Sequence, residues 1–454
     1  MFLVSFLSKR SIILAGALGV LGITPAAAVA HERQTAPERA GQSGRTLTID
    51  EALQIANKNN RDLQQAKARV DQAHAAVLQA WSALLPTANA QGKYTHNYKE
   101  VAIGFPGLTD PIVIQKGEQL DFGLTALVPL IVPWGYPSVQ AAKRNEEAGR
   151  ANQAVTTAQV LYSAAQAYYA CAGADELVEA RKHAVVVAQK ALDNARARLE
   201  AGVVNRVEVK RAELQLVRAQ QALVESEDTA AATYRALGTV LNMHDPVRVI
   251  AGDVSPAQPE PVETLTANAL TLRPEFTAIR KTIEGNRLVV TSNWLRWVPT
   301  VSAFGNLRAF NYGGFAGDNY SWAVGLQADW LLYDAGIRDS SRVLAAAQRR
   351  ENEARLDLLK DQVRDDVYNA DRQLGTKRRA LETAKRSVQL SKETLDLVQV
   401  QHDAGTATQL DLLQAQDALV GSEVALAQAH FDLSLGALSL ERLSGAFPGN
   451  RNFK

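Results

Sequence analysis

No proline occurs between Pro137 and Pro246, nor between Pro299 and Pro448. Proline removes a backbone donor and breaks the preceding helical turn, so both long stretches are free to run as uninterrupted helix. Their apolar residues say what such helices would pack against. Leu412, Leu419, Leu426, Leu433 and Leu440 fall at strict sevens, and the first four are each followed at +3 by a small residue: Ala415, Ser422, Ala429, Gly436. The same comb stands 203 positions earlier, as Val209, Leu216, Leu223, Ala230 and Leu237 with Ala212, Ala219, Ser226 and Thr233. Three- and four-residue steps also run from Leu356 through Val363, Leu374, Leu381 and Val388 to Val398. Sustained sevens specify a seam against another helix, and small residues let the two backbones approach. A helix over 138–201 would be about 95 Å long, and one over 337–404 about 100 Å. A compact globule is excluded, and an elongated coiled-coil molecule is expected.

The chain is written twice. Leu84-Leu85-Pro86-Thr87 returns as Trp297-Val298-Pro299-Thr300, Gly123-Leu124 as Gly325-Leu326, and Ala201-Gly202 as Ala404-Gly405. The repeats are 46–245 and 262–445, joined by a linker, 246–261, that holds four prolines. Residues 31–45 read as a polar, disordered N-terminus, and 446–454 form a tail. Each repeat reads helix, strand, loop, strand, helix, helix, with hairpins at 86–130 and 299–332. The first hairpin has the longer loop, 99–118.

Residues 1–30 have the order of a secretory signal peptide: Lys9 and Arg10, an apolar run from Ile12 to Ile23, then Pro25 and Ala26 to Ala30. The run is too short to span a bilayer, and no later window offers about 18 consecutive apolar residues. The mature chain is therefore either soluble outside the cytoplasm or enters a membrane as strands. Lys+Arg is 49 and Asp+Glu 48, a balance that argues against nucleic acid as a ligand. The single cysteine, Cys171, excludes an internal disulfide. No Gly-x-Ser-x-Gly, Ser-x-x-Lys or His-Glu-x-x-His is present, so neither an enzyme, a metal site nor a cofactor is expected.

The strands favour the membrane. Leu120, Phe122, Leu124, Ala126 and Val128 alternate with Gln119, Asp121, Gly123 and Thr125. Tyr320, Trp322, Val324, Leu326 and Trp330 alternate with Ser321, Ala323, Gly325, Gln327 and Asp329. Period two with one greasy face suits a strand with water on one side and lipid on the other. Partner strands are expected at 87–98 and 300–311. Trp294, Trp297, Trp322 and Trp330 lie near strand ends, as interface aromatics do. Four strands leave two open edges, which lipid does not tolerate, so several chains must close together. Three chains would give about 12 strands and a bore wide enough for water.

Four further features complete a pattern: Leu47-Thr48-Ile49-Asp50-Glu51-Ala52-Leu53 at the opening, Leu85-Pro86-Thr87 entering a strand, Trp330-Leu331-Leu332-Tyr333-Asp334-Ala335-Gly336 leaving one, and the doubled turns Ala201-Gly202 and Ala404-Gly405. In this order the chain resembles the outer membrane efflux proteins, the TolC family. The resemblance implies a homotrimer: a twelve-stranded barrel in the outer membrane, continuing into a twelve-helix periplasmic tunnel. It also implies an exit duct of a tripartite efflux or type I secretion system. Its partners would be outer membrane lipid, a periplasmic adaptor (membrane fusion) protein and an inner-membrane pump of the RND, ABC or MFS type.

Glycine at the two turns permits the left-handed conformation that ends a helix. By resemblance these turns are periplasmic tips where the adaptor docks, which marks Gly202, Val203, Val204, Gly405, Thr406 and Ala407. Asp411 matches an acidic position that lines the closed aperture, Gln414 stands where a second acid is usual, and Glu208 matches an acidic latch. The latch's usual basic partner is Ala407 here, with Arg206 as a substitute. Thr408-Gln409-Leu410-Asp411 and Asn205-Arg206-Val207-Glu208 also read as helix N-caps followed by a carboxylate. The competing reading is a soluble periplasmic coiled-coil adaptor or scaffold without a pore, which explains the heptads but not the amphipathic hairpins.

Overall fold

The computed structural model describes residues 45–104, 106, 111–243, 245–250, 260–312 and 318–447. The signal segment 1–30, the polar stretch up to residue 44, the linker centre 251–259 and the tail from 448 lie outside the described residues.

The chain opens with β1 (Arg45–Leu47) and α1 (Ile49–Asn59). A capping box starts α1: Thr48 Oγ1 accepts from Glu51 N–H at 3.3 Å, and Glu51 accepts from Thr48 N–H at 3.1 Å. The leading helix is in fact two. Asn60 ends α1 and caps α2 (Arg61–Ser82), its Oδ1 accepting from Asp62 N–H at 2.8 Å and its amide donating to Val240 O at 2.9 Å. Next come β2 (Thr87–His96), β3 (Val101–Ile103), β4 (Ile112–Gln115) and β5 (Glu118–Ile131). The long loop between β2 and β5 is thus partly strand, β3 and β4 pairing antiparallel.

α3 (Gly135–Glu200) runs 66 residues, about 99 Å, with Pro137 in its first turn, where a missing N–H costs nothing. It is followed by α4 (Arg206–Leu241) and β6 (Val247–Val249). β6 corrects the expected linker, whose beginning is a strand paired in parallel with β1. Val247 is buried there, and the Tyr168 hydroxyl is shared between Leu47 O at 3.0 Å and Ile250 O at 2.7 Å. The second half repeats the pattern as α5 (Val262–Leu272), α6 (Pro274–Leu295), β7 (Thr300–Phe310), β8 (Tyr320–Asp329), α7 (Ile337–Asp403) and α8 (Gln409–Leu443). Pro274 at the first position of α6 separates it from α5. α7 has 67 residues, about 100 Å.

Packing follows the heptads. α3 lies against α4 and α8, and α7 against α8, so the tip-side halves form a layer in the order α4, α3, α8, α7. Beside the strands the order is α2, α3, α6, α7. Glycine permits a close helix crossing: a Cβ on Gly285 of α6 would meet Asn145 Oδ1 of α3 at 2.7 Å. Leu412, Ala415, Leu419, Ser422, Leu433 and Gly436 of one comb are buried, as are Ala212, Leu216, Ser226, Ala230 and Leu237 of the other. The largest core, around Leu47, Leu161, Tyr168, Cys171, Leu237, Leu241 and Phe447, surrounds the middle of α3.

Candidate functional site

The two hairpins form one antiparallel sheet in the order β2, β5, β7, β8. Its register aligns the apolar residues in rows. Ala90, Leu124, Leu307 and Trp322 stand side by side, as do Gly92, Phe122, Ala309 and Tyr320. Apart from His96 and Glu118 at its loop end, one face is therefore apolar and open to the surroundings, with Phe122 50%, Trp322 68%, Val324 73% and Leu326 73% exposed. The opposite face carries Asn89, Gln91, Lys93, Asp121, Thr125, Asn306, Arg308, Ser321 and Gln327 by the same register.

Three hydrogen bonds fix which backbone groups are used. Asn97 N–H donates to Gly117 O at 2.8 Å, Asn311 N–H to Leu120 O at 3.2 Å, and Phe310 N–H to Asn319 O at 2.8 Å. In antiparallel ladders bonded and non-bonded pairs alternate, so the pattern propagates along the register. Odd-numbered residues of β2 bond to β5, and the even ones, Ala88 to His96, turn their N–H and C=O outward. Odd-numbered residues of β8 bond to β7, and the even ones, Tyr320 to Ala328, face the other border. Five residues on each border thus leave both backbone groups unpaired within the ladder.

The helical layer is open in the same sense. Its edge helix α4 exposes Val207, Leu214, Val217 and Val224, between 50% and 59%. The other edge, α7, exposes Leu344 and Leu358, two heptads apart, and Leu390 and Leu397, one heptad apart. These repeat at the spacing of a helix seam, and no helix among the described residues covers them.

At the far end two glycines take the left-handed conformation, Gly202 at φ 71° and Gly405 at φ 76°. Val203 N–H donates back to Arg198 O and Thr406 N–H back to Gln401 O, each at 2.9 Å, which closes the two helix ends. Val203 is exposed and Val204 half-buried; Thr406 is exposed and Ala407 half-buried. The two tips touch through Arg198, whose guanidinium contacts the buried ring of His402. Asp411 is exposed and sits in a capping box: its Oδ2 accepts from Thr408 N–H at 2.8 Å and from the Thr408 hydroxyl at 2.6 Å. Those two bonds, hydroxyl first, hold its carboxyl below the usual carboxylate range. Gln414 is exposed one turn on. Asn205 caps α4 alone, accepting from the N–H groups of Val207 and Glu208 at 3.0 and 3.2 Å. Glu208 is half-buried, Arg206 is exposed, and the two form no ion pair with each other or with any other described residue.

Trp294 (61% exposed), Trp297 (40%) and Trp330 (62%) gather where the sheet meets the helices, with Trp330 Nε1 donating to Trp297 O at 3.0 Å. Trp322, Tyr94 and Tyr320 lie toward the other end. Eight residues separate Trp322 from Trp330, about 26 Å along a strand and about 20 Å across a bilayer at barrel tilt. A junction that sequence reasoning missed lies beneath Trp297. Arg338 is buried with its guanidinium 3.8 Å from that ring centroid and its Nε 2.7 Å from Asp334 Oδ2. Asp334 also accepts from Gly336 and Arg338 N–H, so it caps α7. The available signal was Asp334 placed two residues before a glycine at a strand exit.

Residues 52–243 and 265–446 match the family model described as outer membrane efflux protein. Over 411 residues the chain is 24% identical to the outer membrane efflux protein BepC of Brucella suis, covering 89% of this chain and 87% of that protein. The fold is that of the CmeC outer membrane channel of Campylobacter jejuni, at TM-score 0.72, 18% identity and coverage of 87% and 85%. It is equally that of the outer membrane protein VceC of Vibrio cholerae, at TM-score 0.71, 17% identity and coverage of 87% and 96%.

Proposed function

The chain belongs to the outer membrane efflux protein family, and from that premise we propose that three copies close edge to edge into an outer membrane duct. The observation that carries the reading is the pair of open borders. A lone sheet in lipid would leave ten residues' worth of N–H and C=O groups without a partner, at about 1–3 kcal/mol per group even in ordinary protein interiors. That sum exceeds the whole stability of a typical domain, about 5–15 kcal/mol. The β2 border of one copy runs antiparallel to the β8 border of the next, so joining them continues the ladder and removes every edge. Two copies would give about eight strands, whose interior side chains fill; three give about twelve and room for water.

The helices close on the same symmetry, the stripe of α4 meeting that of α7 in the neighbour. The apolar sheet face then meets lipid between two aromatic girdles, and the polar face lines the bore. Material passes through without bond-making chemistry, delivered by an inner-membrane pump through a periplasmic adaptor that docks at Gly202 to Val204 and Gly405 to Ala407. Asp411, repeated three times around the axis, gates the tip end while also capping its own helix. Gln414 weakens any second acidic ring, and Glu208 and Arg206 are left to pair across subunits. A pore-free scaffold would leave the apolar sheet face unexplained. Mass measurement in mild detergent and conductance in planar bilayers test the proposal together. A trimer that conducts is expected; an inserted, conducting single subunit would overturn it.

A further inference from the structure

The polar face of the sheet carries its charge unevenly. Lys93 stands opposite Asp121 on β5, and Arg308 is one rung along on β7, opposite Gly123. Arg308 Nη2 donates to Asp121 Oδ1 at 3.0 Å, and Gln119 Nε2 to its Oδ2 at 3.3 Å. The acid is thereby covered: its side chain is 15% exposed, whereas that of Arg308 is 57% exposed. Lys93 is exposed and makes no ion pair among the described residues. Space beside this cluster therefore meets two cations and a screened carboxylate, a net single positive charge per chain.

Nothing nearby on the described residues cancels it. The other charge on this face, Asp329, lies at the helix end, eight residues along β8 from the Ser321 that faces Arg308. That is about 26 Å away, several Debye lengths at physiological salt. Glu118 and His96 sit near the same end but on the apolar face, paired to each other at 2.6 Å. Lys99, Glu100, Lys116 and Asp318, in the connections beyond the strands, balance in sign.

We propose that Lys93 and Arg308, around a covered Asp121, form a basic belt that makes the strand-walled part of the duct prefer anions. The inference rests on the closed-duct reading, in which threefold symmetry brings three such clusters to one height. The belt lies at the sheet end remote from the helices, so it is opposite in sign to the acidic ring of Asp411 at the tips. Small anions and anionic groups of larger cargo are concentrated there, and cations are depleted, by an amount that fades as salt rises.

The full-length protein in planar bilayers under a potassium chloride gradient tests this through its reversal potential. Lys93→Gln should shift selectivity toward potassium, and Lys93→Gln with Arg308→Gln further, while Asp121→Asn should shift it toward chloride. Glu118→Gln, on the other face of the same strand, should not move it. All three shifts should shrink at high salt. Conducting double-variant channels with an unchanged reversal potential would overturn the belt. A wild-type protein that never conducts would instead overturn the duct reading and, with it, this one. Should the double variant fail to fold, opposite shifts of Lys93→Gln and Asp121→Asn still decide the matter, and no shift in either refutes it.

Discussion

Replacing Ala90 by proline tests the border without touching the chain's own ladder. The Ala90 N–H points away from β5, toward the open edge, whereas the neighbouring Gln91 N–H bonds to β5. Proline is tolerated on edge strands whose missing donor faces outward, so a single Ala90→Pro subunit should fold. In the closed ring it removes one donor, pushes its ring into the adjoining strand and strands a carbonyl of the partner in lipid. At about 1–3 kcal/mol for each unsatisfied group, three junctions lose about 3–9 kcal/mol per trimer. Semi-native electrophoresis across a temperature series reads this directly: the Ala90→Pro trimer should fall apart at a clearly lower temperature than wild type. Gln91→Pro is the counterpart, since it breaks a bond inside the subunit and should reduce the yield of folded protein itself. An Ala90→Pro trimer as heat-resistant as wild type would refute border pairing, as would identical behaviour of the two variants.

Asp411→Asn should leave the trimer assembled yet weaken block of the duct by multivalent cations in bilayers; unchanged block would take Asp411 out of the gate. The Thr408 bonds lower the folded-state pKa of Asp411. Its capping contribution is therefore present above the ordinary aspartate pKa and lost only as pH falls through the lowered value. Hydrogen exchange at the start of α8 should accordingly be protected alike at pH 7 and pH 5.5, and a loss by pH 5.5 would contradict that sign. Burial pushes the Cys171 thiol up to about 12 and leaves it 0% exposed, so maleimide at pH 7 should label it only on unfolding; prompt labelling of the native protein would show that the central core opens. Phe276→Ala, at a ring 1% exposed in the α5–α7 core, should cost about 3–5 kcal/mol and lower the thermal midpoint; an unchanged midpoint would show that this core does not hold the fold together.

Much of the fold was legible because its determinants are local and periodic. The absence of proline from 138–245 gave α3 and α4 their extent, and the same holds for α7 and α8 after Pro299. Period-two alternation located β5 and β8 and gave the face each presents. What escaped depends on contacts between distant segments. Three residues are too short to show a period, so the β1–β6 pair was hidden in stretches that look polar or proline-rich. That the hairpins merge into one sheet was already assumed in counting two open edges, but the β5–β7 register that joins them is set by tertiary contacts. At the tips, Asp411 was marked by resemblance and, as a capping carboxylate, by its spacing from Thr408, but the two Thr408 bonds that occupy its Oδ2 appear only in the structure. Lys93 and Arg308 were passed over because each is a single charge in its own strand; only the register makes them neighbours.

The two open borders also govern the protein's life before it reaches its destination. A newly exported subunit in aqueous surroundings holds out two rows of amides and a greasy sheet, the surface on which strands of any other unfolded chain can add. Aggregation is then a competitor of productive assembly from the outset, and both accelerate with concentration. In the proposed trimer the encounter with two further copies ends the contest, because a closed ring has no growing end. Supply of this chain must therefore be matched to the rate at which copies find one another, and overproduction should yield insoluble chains rather than more ducts.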